Sequence, residues 1–183
     1  MKYHRIDKFL PEKSLGEMRH RVLYMNEVAN NSYKQVGGGF MTPGLFDDLL
    51  HDVRILRMVR RLTGKDDLLP SMSSGAYYPP QSDLPMSVGD DSTTYQFILQ
   101  LTDNEQWAII RFTDRGEIEE QVLQCGDAAL FNSQQVMTGR LKADQTHCQA
   151  QLCFVDGDND NAFIGLRNYD KSSLVEYRRY NAT

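Results

Sequence analysis

The hydrophobic pattern of this chain changes character near Ser71. Before it, apolar residues recur at three- and four-residue steps; after it, short runs rich in Val, Ile, Tyr and Phe are broken by turn residues. Helices first and many short strands afterwards predict a mainly β fold, an antiparallel sandwich or barrel with N-terminal helices packed outside it. Strands are expected near residues 75–78, 94–101, 106–112, 117–123, 128–131, 136–141 and 147–155, with a last one at 162–166.

Two helices are expected before the switch. Ser14-Leu-Gly-Glu17 has the spacing of a capping box, in which serine and glutamate satisfy each other's backbone amides, and predicts a helix over about 15–29. Thr42 as cap, Pro43 in the first turn and Gly64 at the exit bracket a second. Within it, Leu45, Leu49, Val53, Leu56 and Val59 form one apolar face directed at the core. Asp47, Asp48 and Asp52 lie early and Arg54, Arg57, Arg60 and Arg61 late, as the helix dipole favours. The arginines are read as a solvated helix end, with an acidic ligand or partner as the alternative.

A chain of 183 residues, 40% hydrophobic and 25% charged, suits one domain: a helical part to about 70, a barrel over about 71–166 and a tail over 167–183. The net charge of -5 gives no general attraction to nucleic acid or anionic lipid. No apolar run approaches the ~20 residues that span a bilayer, and the start lacks a secretory apolar segment, so a cytoplasmic protein is expected. Cys125, Cys148 and Cys153 lack the close pairs of a zinc site and are read as reduced thiols, with Cys148 and Cys153 on opposite faces of one strand. A metal site rebuilt from His4, His20 or His51 with Asp83 or Asp90-Asp91 is the alternative, but no pair of them has ligand spacing. Gly37-Gly38-Gly39 lacks the Lys-Ser/Thr of a phosphate loop and is read as a mobile loop that can border a pocket.

Several segments in the second half follow a known order. Tyr77-Tyr78-Pro-Pro-Gln81-Ser-Asp83 is followed by Tyr95-Gln-Phe-Ile-Leu-Gln-Leu101, by a strand containing Trp107, and then by Gly126-Asp127-Ala-Ala-Leu-Phe131. This order resembles the double-stranded β-helix of the 2-oxoglutarate/Fe(II) oxygenases, above all their prolyl-hydroxylase-like and phytanoyl-hydroxylase-like branches. The resemblance implies a jelly-roll barrel. It also places Gln81 and Asp83 at the His-x-Asp metal motif, Met137 (or Thr138) at the distal histidine, and His147 where an arginine binds the cosubstrate carboxylate.

The chemistry changes with those residues. Two imidazoles and a carboxylate hold Fe(II) on one face of such a site, whereas Gln81 offers an amide oxygen and Met137 a soft thioether. A histidine in place of the arginine offers a weaker, pH-dependent contact instead of a two-pronged, permanently charged one. No cofactor is therefore expected; the alternative is Fe(II) with 2-oxoglutarate. Read as structural residues, Asp83 belongs to a turn, His147 is a hydrogen-bonded strand histidine and Trp107 sits in the core.

The resulting expectation is a repurposed oxygenase-like protein that binds a small molecule or a protein partner, with Tyr77, Gln81, Asp83, Tyr95, Met137 and His147 converging at the barrel mouth around a small polar or zwitterionic molecule. The alternatives are an active dioxygenase with an unusual ligand set, a metal-free enzyme using Asp83 and His147 for acid–base chemistry, and a cupin-like binding protein or isomerase. Exposed strand edges make a homodimer an expectation too.

Overall fold

The structure is a computed structural model and describes residues 3–28, 33–34, 38–88, 93–103, 107–112 and 116–157. The expected strand at 162–166, the tail at 167–183, and Gly37, Asp90 and Asp91 lie outside the described residues.

Pro11 gives its carbonyl to the Leu15 N–H at 3.2 Å, so helix α1 (Glu12–Val28) begins before the capping box, and Ser14 falls inside its first turn. Leu15, Met18 and Val22 are buried along one side of it. The single helix expected after Thr42 is instead three elements. Thr42 and Pro43 belong to strand β3 (Phe40–Pro43), which pairs with the main sheet; helix α2 (Asp47–Leu50) is a single turn; and helix α3 (Val53–Thr63) starts afresh. The break has a local cause. Asp52, in extended conformation at ψ 117, turns its carboxylate onto the Arg54 N–H at 2.8 Å and onto the Arg54 guanidinium, and so caps α3 instead of continuing the previous turn. These contacts hold the Asp52 carboxyl down at about 2, mainly through the Arg54 hydrogen bonds. Gly64 closes α3 in the left-handed conformation, as expected.

Strands β4 (Leu69–Tyr78), β5 (Leu84–Ser87), β6 (Tyr95–Gln100), β7 (Ile109–Phe112), β8 (Ile118–Gln121), β9 (Ala128–Asn132), β10 (Thr138–Arg140) and β11 (His147–Val155) follow. With β1 (His4–Ile6), β2 (Tyr33–Lys34) and β3 they form two antiparallel sheets, in the orders β1-β9-β6-β11-β4-β3-β2 and β5-β10-β7-β8. This two-sheet jelly roll is the architecture read from the periodicity switch. Strands β1, β2, β3 and β5 had no expectation: they are short and lack an alternating run.

Strand β11 lies between β6 and β4 and is buried along its whole length. Cys148, Ala150, Leu152 and Phe154 face the helices and join the main core with Phe97, Leu99, Leu130 and the buried residues of α1 and α3. His147, Gln149 and Gln151 project the other way, into the space between the sheets. Cys148 and Cys153 accordingly take opposite faces, and none of the three cysteines is in a disulfide.

Two turns fix how the layers meet. Gly126, at φ 89, bonds to Gln100 and Phe9 through its backbone. The buried Asp127 carboxylate accepts from Arg5 Nη2 at 2.6 Å and from the Lys8 and Gln124 amides, tying β1 to the entry of β9. At Gly75 the helices come close: a Cβ there would lie 2.4 Å from Leu45 Cδ2 and 3.1 Å from Val22 Cγ2. Gly75→Ala is therefore expected to lower the unfolding free energy by about 1–3 kcal/mol through overpacking. Urea denaturation checks this; an unchanged midpoint would show that α1 and the 45–46 segment yield without cost.

Candidate functional site

Between the sheets lies a cavity of about 510 Å³, lined by Tyr78, Gln96, Ile98, Thr138, Arg140 and Gln151 among others. Alternation along four strands puts these side chains inside: Tyr78 on β4, Gln96 and Ile98 on β6, Thr138 and Arg140 on β10, Gln151 on β11. Ile109, Leu84 and Pro85 complete an apolar wall.

Arg140 is the dominant charge. It is only 4% exposed, its guanidinium carbon lies 4.1 Å from the centre of the Trp107 ring, and Nη1 donates to the Trp107 carbonyl at 2.9 Å. The Gln149 amide oxygen accepts from Nη1 at 3.3 Å and from Nη2. That orientation follows from the surroundings, since the opposite one would aim an NH₂ group at the guanidinium. Among the described residues no carboxylate pairs with Arg140. Burial draws its pKa down to about 10, which leaves it charged at neutral pH. Burial also pushes the Tyr78 and Tyr3 phenols up to about 12, so both are O–H donors there.

The glutamines form an amide network. Gln151 Nε2 donates to the Tyr78 hydroxyl at 3.2 Å, while Gln151 Oε1 lies at the 3.5 Å limit from both Ser74 Oγ and Gln96 Nε2. Gln100 donates to Thr102 Oγ1 at 3.1 Å and approaches His147 Nδ1 at 3.5 Å.

The six residues expected at the mouth are not brought together. Tyr77 points to the helix side of β4 and meets Phe40, with ring centres 6.4 Å apart; its neighbour Tyr78 takes the inner position. Tyr95 likewise packs against the main core. Gln81 is exposed in a turn, at φ 71, with its N–H donated to the Ala143 carbonyl at 2.7 Å. Asp83 is half-buried just after that turn and is not among the cavity-lining residues. Met137 is 40% exposed, and Thr138, one residue on, is the side chain that reaches the cavity. His147 is fully buried and stacked on Trp107 at 4.5 Å, outside the cavity lining.

Arg140 escaped the sequence reading. It lies between the expected distal-ligand and arginine positions, and only the register of β10 with β5, Thr138 opposite Ser87 and Arg140 opposite Leu84, turns it inward. The Arg54–Arg61 segment carries less free charge than its sequence implies: Arg54 pairs with Asp52, and Arg60 donates to the Leu68 carbonyl at 2.8 Å.

No protein-family model and no curated protein matches this sequence. Solved structures do match in three dimensions. A 2OG-Fe(II) oxygenase family oxidoreductase from Burkholderia pseudomallei superposes with a TM-score of 0.71 over 86% of each chain, at 8% identity. A Pseudomonas putida prolyl-4-hydroxylase gives 0.68 over 84% of this chain and 92% of its own, at 17% identity. This chain has the fold of the 2-oxoglutarate/Fe(II) oxygenases. HygX from Streptomyces hygroscopicus, solved with nickel and 2-oxoglutarate bound, is similar at a TM-score of 0.67 and 13% identity, over 85% of this chain and 83% of its own. Within this oxygenase fold the donors expected at the metal are an exposed amide, a carboxylate and a hydroxyl or thioether. Among the described residues no three His, Cys, Asp or Glu side chains are grouped to hold a metal ion. That donor set does not fit Fe(II).

His147 supplies a pH test of this geometry. Burial first, then the Arg140 charge, lowers its pKa from 6.5 to about 4, and its Nε2 has no partner. The unfolded chain takes up this proton first as pH falls. Stability is thus indifferent to His147 above about pH 6.5, declines between 6.5 and 4 by roughly 3 kcal/mol in all, and levels below. Urea titrations of wild type and His147→Phe at pH 7 and pH 4 should show the larger loss in wild type; parallel losses would place the imidazole in contact with water.

Proposed function

We propose that this chain is a repurposed oxygenase-fold protein that binds a small organic molecule between its two sheets without the fold's iron chemistry. The observation that carries this reading is the fate of position 81. A histidine that ligates metal from the first motif must point into the barrel, but Gln81 stands in an exposed left-handed turn held by paired backbone bonds: Gln81 N–H to the Ala143 carbonyl and Ala143 N–H to the Ser82 carbonyl, each 2.7 Å. The backbone as well as the side chain has left the ligand geometry.

The cavity nevertheless persists. Its apolar wall and a few convergent polar groups have the make-up of a small-molecule site. The competing reading, an active dioxygenase with an unusual ligand set, draws on the metal and 2-oxoglutarate in HygX and on the inward arginine, which restores a guanidinium the sequence reading counted as lost. A guanidinium without metal donors binds but does not activate oxygen, and this favours the binding reading. Trp107 holds Arg140 in place at the cavity wall, and Ile98 and Ile109 supply apolar lining.

Anaerobic calorimetric titration with Fe(II), Mn(II) and Zn(II) separates the two readings. Weak or absent binding is expected, because Asp83 is the one strong donor at the expected positions. Stoichiometric binding at micromolar or tighter affinity that disappears in Asp83→Ala would restore the dioxygenase reading.

A further inference from the structure

Burying a cation costs several kcal/mol unless opposite charge or a full set of acceptors surrounds it. Arg140 has neither. Its contacts are neutral: the Trp107 carbonyl through Nη1, the Gln149 amide through Nη1 and Nη2, and the indole face. A guanidinium carries five N–H groups, and these three bonds leave Nε–H and one Nη2–H without a protein acceptor among the described residues.

The groups sharing the cavity wall fit that deficit. The Tyr78 hydroxyl accepts from Gln151 Nε2, which leaves its own proton to donate, and burial keeps that proton in place at neutral pH. The Thr138 hydroxyl lines the same cavity from the strand that carries Arg140. Among the described residues no acidic side chain lines the cavity. The apolar lining is Ile98, Ile109, Leu84 and Pro85, with Leu84 the cross-strand partner of Arg140.

On the reading that this cavity binds a small molecule, we propose that its ligand is a monocarboxylate with an apolar body, its carboxylate on Arg140 and the Tyr78 hydroxyl and its body on the isoleucine wall. One guanidinium balances one negative charge, and the remaining described lining groups are neutral. A doubly charged phosphate would leave a net buried charge; a neutral ligand would leave Arg140 uncompensated. The guanidinium comes from β10, not from residue 147, where the fold's relatives are expected to carry theirs.

The protein's single tryptophan is the reporter, because Trp107 is in van der Waals contact with Arg140. Benzoate and its uncharged isostere benzamide are titrated in EDTA while Trp107 fluorescence is followed. Benzoate should give a saturable change and benzamide binding weaker by about tenfold or more, the loss expected for a charge-assisted pair. Arg140→Gln should abolish the preference for benzoate. Tyr78→Phe, which keeps the ring, should weaken benzoate about fivefold or more and decides the matter if circular dichroism shows Arg140→Gln unfolded.

Equal affinities for the two compounds would overturn the carboxylate assignment and leave the binding cavity standing. So would undiminished benzoate preference in folded Arg140→Gln, or unchanged benzoate affinity in Tyr78→Phe. Benzoate binding that appears only after Mn(II) replaces EDTA would instead overturn the metal-free reading. No saturable response to either compound, with or without Mn(II), would overturn both.

Discussion

Strand β11 is covered on both faces, and the two covers are chemically different. Toward the helices it presents Cys148, Ala150, Leu152 and Phe154 to an apolar core. Toward the second sheet it presents His147, Gln149 and Gln151, all nearly or fully inaccessible to water. Amides sealed from water must find partners inside, and each partner ties β11 to another strand. Gln151 reaches Tyr78 on β4, and Gln149 reaches Arg140 on β10 in the opposite sheet. The polar row therefore ties β11 both to its neighbour and to the opposite sheet, and its member Gln151 lines the cavity between them.

Trp107 is the fixed point of this arrangement. Its indole donates to the Leu141 carbonyl at 2.7 Å, stacks on His147, meets Tyr78 with centres 4.9 Å apart and carries the Arg140 guanidinium. The Arg140 guanidinium is thereby held against the indole at the cavity wall. The fold supplies the location and the residues on it supply the chemistry, so a shared architecture with iron enzymes does not by itself assign their reaction to this chain.

The large features were legible because they rest on local physics. Period-two alternation placed β11 at its observed bounds, and the Gly126-Asp127 turn announced β9, since a glycine at positive φ and an acid that accepts backbone amides are needed there. Helix α3 ended at Gly64 for the same kind of reason. What failed was non-local. The apolar repeat from Leu45 to Val59 looked continuous, yet Thr42 and Pro43 pair across to Gly75 and Ser74, and Asp52 restarts the helix. Likewise, whether Tyr77 or Tyr78 faces inward depends on a register set by β11 opposite β4, a one-residue choice that reverses every side chain. Arg140 became visible as a site residue only once β10 was paired.

The most direct measurement is an X-ray structure of the protein purified without chelator, with anomalous data collected at the iron edge. No anomalous peak is expected within bonding distance of Asp83 or Thr138, and non-protein density in the cavity should reach Arg140 and Tyr78. An anomalous peak held by Asp83 with side chains rearranged around it would instead establish an iron site and rule out metal-free binding.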